Sequence, residues 1–517
     1  LVRTWSVLAF FCLSLSLSKL QLRGERILKL YPTAAEFQKL ADEFNVIPIM
    51  QEYIADELTP VGALRRLGLD RQPYTFLLES VEGGQKLGRY SFVGVSMKEI
   101  VEIWPGRICL RDGTGKLLIQ FPSQDPLAYL EARTQEFKLA PSPIERMPCG
   151  FVGYAGYELV HTFEKLPPRK KGPAVPDCVF ALPEVLLVFD HVQGTVSAVA
   201  NVFLKKGQKL SSYQEAIEKM EEVVARLSSH SAGGILPSPR GKVREGKYRS
   251  NFTKGEFLEA VQKAKEYIAK GEVQQVVPSQ RFEVELKRPP LDLYCALRAI
   301  NPSPYLFYLK FGEFGLVGSS PEMLVRLEDQ RAMVRPIAGT RPRGRDASED
   351  AALEEQLLAD EKEKAEHEML IHLALSDLAK VCRRETVRAT ERFAIERYSH
   401  VMHLVSQVEG ELHRDKNLFH LFKAAFPAGT LTGSPKVRAM ELIAELEPTA
   451  RGPYGGAVGY FGFGGNMDFC ITIRTIIYQG NRAWLQAGAG IVAGSQPEKE
   501  YQETINKAQA LLQAVLA

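Results

Sequence analysis

The chain has 517 residues, 45% of them hydrophobic and 25% charged, with a formal net charge of +3. That length leaves room for two or three domains, and the composition is that of a globular protein rather than a disordered or fibrous one. A charge of +3 spread over 517 residues, with no basic stripe interleaved with aromatics, gives no reason to expect nucleic acid as a partner.

Residues 1–18, LVRTWSVLAFFCLSLSLS, carry an early Arg and an apolar stretch like a signal-peptide core. No A-x-A cleavage pattern follows, and the run is too short to span a bilayer. Export and translated upstream sequence both stay open, and 1–25 are set outside the fold. From 26 to about 200 the pattern is mostly short β-rich runs. YTFLLESV (74–81) and GRYSFVGVS (88–96) read as strands, while 101–121 and 184–203 read as hairpins, the first about DGTG. An amphipathic helix is expected over 212–227. The Ser, Gly and Pro of SSHSAGGILPSPRGK mark the main linker, set at 228–249 between parts spanning 26–227 and 250–517.

Beyond it, helices are expected at 255–272, 291–299, 349–382, 417–426, 434–446 and 497–516. Strands are expected at 273–286, 304–311, 314–318, 322–328, 331–336, 455–462, 468–479 and 482–487. The two kinds are interspersed without strict βαβα alternation, which gives an α+β class with antiparallel sheets covered by helices. The seven cysteines are scattered without CxxC or zinc spacing, a usage that fits reduced thiols in the cytoplasm, and no membrane is expected.

The stretch KEKAEHEMLIHLAL (362–375) looks like a zinc-protease helix but is not one. His367 and His372 are five apart, roughly 140° around a helix of about 100° per residue, so they cannot share an ion. Glu363 and Glu366, at i and i+3, do share a face. Glu500 and Glu503 repeat that spacing on the last helix. Two such helices converging would suit a hard divalent ion such as Mg²⁺, although acidic helix starts are equally explained by the macrodipole. AGTRPRG (338–344), PAGTLTGSPK (427–436), GPYGGAVGYFGFGG (452–465) and AGAGIVAG (487–494) are four places where backbone amides can approach an anion. Paired carboxylates and anion-binding loops together suggest a small polyanionic substrate held with a metal.

PIAGTRPRG, KEKAEH, YSHVMHLVS, PAGTLTGSPK, GPYGGAVGY, ITIRT, AGAGIV and EYQET, in this order, resemble the chorismate-binding enzyme family, and within it the large components of anthranilate synthases. The likeness runs from about residue 27 to the end. It implies a fold of large antiparallel sheets and helices around a central active-site cleft. Glu366 and Glu503 would hold Mg²⁺, with Glu363 and Glu500 behind them. Tyr454, Arg474, Gly488 and Gly490 would bind the enolpyruvyl carboxylate, an Arg being the suitable fork. Gly339, Thr340 and Thr430 would line the ring, Glu322 would assist departure of the C4 hydroxyl, and His403 would serve in pyruvate elimination; His400 is left unassigned. Glu79, Ser80, Pro304 and Tyr305 match segments that bind L-tryptophan as inhibitor.

Two positions choose among family members. Aminodeoxychorismate synthases carry a nucleophilic Lys where this chain has Ala338. Isochorismate and salicylate synthases have a water-activating Lys where it has Gln275. The resemblance therefore implies ammonia as nucleophile and anthranilate and pyruvate as products. No cysteine sits in the G-x-C-x-G elbow of a class I glutaminase, so a separate glutamine amidotransferase subunit is implied. A catalytically silent binding homologue is the alternative of another class. One departure stands out. Where the family continues LVDLARND, this chain has His372, Leu375 and Ser376 in place of Asp, Arg and Asn, which is expected to alter the packing or surroundings of the metal helix.

Overall fold

The computed structural model describes residues 30–80, 88–144, 146–204, 209–229, 248–398 and 401–516. The expected extension at 1–25, most of the expected linker and His400 lie outside them. The fold is α+β, and its strand ladders are antiparallel. Tyr90–Trp104 and Cys178–Asp190 pair along most of their length and form the root from which two arms of sheet spread.

One arm leaves through Tyr74–Glu79 and runs by way of Tyr305–Phe311, Phe314–Ser320, Thr475–Gln479 and Arg482–Gly488 to Ser279–Glu285. The other leaves through Gly150–Ala155 and runs by way of Ala457–Gly462, Met467–Ile471 and Met323–Glu328 to Arg331–Val334 and Val401–Glu411. Strands from both sides of the linker region thus pair directly with one another. The chain passes between arms at 321–322 and again at 472–474, and Glu322 and Arg474 sit on these crossings.

Apolar alternation explains why the arms face one another. Phe76, Phe307, Leu309 and Ile477 of the first arm and Val152, Tyr154, Val458 and Cys470 of the second meet in one buried core. Helices cover the outer faces. Pro290–Ile300 and Pro497–Leu516 pack their apolar stripes on the first arm, while Lys209–Ser229 packs on Thr195–Phe203, which pairs with Cys178–Asp190 at the root. Pro126–Gln135, Glu361–Ala379 and Leu418–Ala425 pack on the second. Among the described residues no helix is long and apolar enough to cross a membrane.

Three local differences from the sequence reading bear on the site. The helix expected over 349–382 is two, Ala347–Ala359 and Glu361–Ala379, because Asp360 leaves helical conformation and its carboxylate caps the second by accepting from the N–H groups of Lys362 and Glu363. The strand expected over 468–479 breaks at Arg474, which has φ +50. Ile337–Pro342, largely within a stretch read as an anion-binding loop, is a strand, and so are Arg388–Arg397 and Val401–Glu411, to which no element was assigned; the first two pair with the third.

Candidate active site

Where the arms diverge lies a cavity of about 640 Å³. Helix Glu361–Ala379 contributes Glu363 and Glu366 to its wall, and helix Pro497–Leu516 contributes Glu500 and Glu503. The i, i+3 spacing brings both members of each pair to the same side, so the two acidic faces meet across one space. Burial raises the Glu366 carboxyl above its ordinary range, and the charges of Glu363 and Glu503 raise it further. Burial also raises Glu500, against a hydrogen bond from Ser495. Glu503 is paired with Lys507 at 2.6 Å.

Among the described residues no three His, Cys, Asp or Glu side chains converge closely enough to hold a metal on their own. The donor set nevertheless suits Mg²⁺, which takes one or two carboxylates and completes its shell with water and substrate oxygens. Like charges gathered around Glu366 are what such a cation would relieve.

Glycines open the rest of the wall. A Cβ on Gly488 would stand 3.0 Å from the Tyr454 hydroxyl, and one on Gly490 would stand 2.7 Å from Gln275 Nε2. Gly339, at φ +62, lies against Glu363. Arg474 donates through Nη1 to the Lys507 carbonyl at 3.0 Å, and burial lowers its pKa. Tyr454 and Thr430 are also in the wall, the Thr430 hydroxyl beside Glu322.

Glu322 is 8% exposed. Burial pushes its carboxyl up to about 8, against smaller downward pulls from the nearby Thr430 hydroxyl and Lys507 ammonium. It is therefore protonated at neutral pH and able to donate. His403 stands one layer back, its Nδ1 3.0 Å from the Gly339 carbonyl and 3.1 Å from Thr340 Oγ1. A carbonyl only accepts, so Nδ1 carries the proton and Nε2 is the bare nitrogen. Burial lowers the His403 pKa, which keeps the ring neutral.

A second, smaller pocket lies between the arms and is lined by Glu79, Ser80, Pro304 and Tyr305 together with Arg146, Asp468 and Cys470. Glu79 accepts from Tyr294 and, at 3.1 Å, from Arg298. The Tyr305 hydroxyl donates to Asp468 at 3.0 Å, and Asp468 pairs with Arg326 at 2.5 Å.

A family model described as chorismate binding enzyme matches residues 85–513. The chain belongs to the chorismate-binding enzyme family. It is 44% identical over 490 residues to anthranilate synthase component 1 of Acetivibrio thermocellus, covering 94% of this chain and 98% of that one. Among solved structures, anthranilate synthase component I from Streptococcus pneumoniae is 31% identical with a TM-score of 0.70, over 84% of this chain and 95% of that chain. The menaquinone-specific isochorismate synthase of Escherichia coli shares the fold at 22% identity and a TM-score of 0.66, over 93% of this chain and 98% of that one.

Membership in this family gives the shared cavity its significance. The twelve cavity positions named from sequence, Glu322, Gly339, Thr340, Glu363, Glu366, Thr430, Tyr454, Arg474, Gly488, Gly490, Glu500 and Glu503, all line it, and His403 touches two of them. Sequence reasoning missed Lys507, whose only signal was its i+4 distance from Glu503, and Gln486. It also missed Arg451. This side chain, 1% exposed, pairs with Glu447 and donates to the carbonyls of Val277 and Leu431 behind the wall.

Proposed function

We propose that the chain is the large, chorismate-aminating subunit of an anthranilate synthase, converting chorismate and ammonia to anthranilate and pyruvate. One observation carries the reading: a single cavity gathers two facing glutamate pairs, an Arg–Tyr anion pocket and a protonated buried carboxyl, with Ala338 and Gln275 where lysines would redirect the chemistry.

Glu366 and Glu503 would hold Mg²⁺, with Glu363 and Glu500 behind them, and the bound ion would supply positive charge to the ring carboxylate of chorismate. Arg474 and Tyr454 bind the enolpyruvyl carboxylate, so both ends of the dianion are fixed and the ring is oriented before reaction. Glu322 delivers its proton to the C4 hydroxyl, which leaves as water while ammonia bonds to C2 and the ring double bonds shift. His403, neutral with Nε2 bare, assists the second step, in which C2 loses its proton and the enolpyruvyl ether bond breaks to release pyruvate and aromatise the ring. Ammonia comes from glutamine through a separate amidotransferase subunit.

The second pocket is a feedback site for L-tryptophan. Its Asp468 and Cys470 sit on Met467–Ile471, and the N–H of Ile471 donates to the Glu322 carbonyl at 3.0 Å. Occupancy of one pocket is thereby felt at the acid of the other.

The test is direct. Purified chain is incubated with chorismate, Mg²⁺ and ammonium at alkaline pH, and anthranilate is followed by fluorescence with and without tryptophan. Product that disappears on chelation and falls with tryptophan is expected. A folded chain that binds chorismate and forms no anthranilate would overturn the reading in favour of a silent binder.

A further inference from the structure

Two glutamines in the cavity wall carry a constraint that the roles above do not use. Gln486 is 4% exposed and Gln275 is 3% exposed, and both face the cavity. Gln486 Nε2 donates to Ser279 Oγ at 2.8 Å, and Ser279 Oγ donates to Glu447 Oε1 at 2.7 Å. The same Glu447 oxygen accepts from the Ser279 N–H at 2.9 Å and from Arg451 Nη2 at 2.6 Å, so it faces donors on every side. With its one proton committed to Glu447, the Ser279 hydroxyl can only accept from Gln486. The amide nitrogen must therefore face Ser279 and the carbonyl must face away from it.

Gln275 obeys the same logic. Its Nε2 donates to Glu366 Oε1 at 3.4 Å, which leaves its carbonyl turned away from that carboxylate. Neither Gln486 Oε1 nor Gln275 Oε1 has a hydrogen-bond partner in the protein. Buried acceptors are nearly always met, so two bare carbonyls in one wall mark where a donor binds.

We infer that Gln486 Oε1, together with Gln275 Oε1, holds the ammonia nucleophile and selects it over water. This rests on the chorismate-aminating reading. Both carboxylates of chorismate only accept, and its one neutral O–H donor, at C4, is the group that meets Glu322. Ammonia brings three N–H donors and one lone pair. Two N–H bonds to the carbonyls leave the lone pair free to form the bond to C2. The C4–O bond breaks, the hydroxyl takes the Glu322 proton and leaves as water, and the proton shed by nitrogen returns to the Glu322 carboxylate. Water cannot follow this course, because it must be deprotonated to attack well and an amide carbonyl is no base.

The test varies ammonium at saturating chorismate, and chorismate at saturating ammonium, at one alkaline pH with Mg²⁺ present. Gln486→Met removes the acceptor and keeps a side chain of similar length. It should raise the KM for ammonia about tenfold, as loss of one hydrogen bond to a small ligand does, and leave the KM for chorismate within about twofold. Ser279→Ala keeps the acceptor but frees the amide to turn, and should raise the ammonia KM about threefold. It carries the test if Gln486→Met does not fold. An unchanged ammonia KM in whichever variant folds, or a rise confined to chorismate, would overturn the assignment. Failure of the unmodified chain to make anthranilate would instead sink the reading beneath it.

Discussion

Replacing Glu322 with Gln should abolish turnover and at the same time make the folded chain more stable in alkali. The carboxyl is buried, and burial lifts its pKa from 4.5 to about 8. Between those values the unfolded chain has released the proton while the folded chain still binds it. Stability therefore falls as pH rises through this window, by ~1.4 kcal/mol per pH unit. The contribution is fully present below pH 4.5 and is lost once pH passes about 8, which amounts to about 5 kcal/mol as an upper bound. The amide that replaces the carboxyl does not titrate, so Glu322→Gln should match the unmodified chain near pH 4.5 and outlast it increasingly up to pH 9. Urea midpoints measured for both proteins at pH 5, 7 and 9 read this directly, with anthranilate fluorescence as the activity control. A gap that stays constant across the three pH values would refute the argument, because it would mean that Glu322 ionises alike in both states.

Other substitutions probe the remaining parts of the molecule. Glu503→Gln should lose Mg²⁺-dependent turnover with an unchanged far-UV circular dichroism spectrum, since one hard anionic ligand is removed; full activity would sink the metal assignment. Arg451→Met should cost about 3–5 kcal/mol in urea denaturation, because Glu447 loses its guanidinium partner in the interior. Adding Glu447→Leu should not deepen the loss, and strictly additive losses would contradict the buried pair. Tyr305→Phe removes the hydroxyl that bonds Asp468, and should raise the tryptophan concentration needed for half-inhibition while leaving the uninhibited rate intact. Unaltered inhibition would discount that contact.

Residues whose function depends on spacing along one element were legible in the sequence. Glu363 with Glu366 and Glu500 with Glu503 are such pairs, and a helix converts three residues of separation into one shared face. Gln486 and Arg451 were not legible, because their roles exist only through partners from other elements: Ser279 for the first, Val277 and Leu431 for the second. The break at Asp360 was hidden inside an ionic run with good helix formers on either side. Ile337–Pro342 overlaps a stretch read as an anion-binding loop, and its one glycine and one proline oppose strand propensity; pairing with Val401–Glu411 overrides that preference. The strand break at Arg474 follows from the crossing between arms, which a local pattern of Thr, Ile and Arg does not announce.

The departure at 371–377 illustrates the difference between residues on an element and residues on its working face. Taken from Glu366 at about 100° per residue, Leu375 lies roughly 180° away, His372 roughly 120° and Ser376 roughly 80°. The His372 side chain is 68% exposed and its ring stands 3.8 Å from Glu368, while Ser376 is exposed and Leu375 packs at the edge of the outer core. Lys362, Glu363, Glu366 and Leu370 are the residues this helix turns into the cavity. The altered positions therefore stand off the cavity-facing side of the helix. Restoring the family residues takes three substitutions, His372→Asp, Leu375→Arg and Ser376→Asn. The first places a carboxylate one helical turn from Glu368, a like-charge pair costing about 0.3–0.5 kcal/mol, while the arginine introduced by the second can extend its stem along the apolar edge. The triple variant should change ammonia-dependent kcat/KM by no more than about threefold, the range of surface substitutions. A gain of about tenfold or more would show that these three side chains act on Glu366 through the body of the helix, and that its outer face is not a bystander to the chemistry.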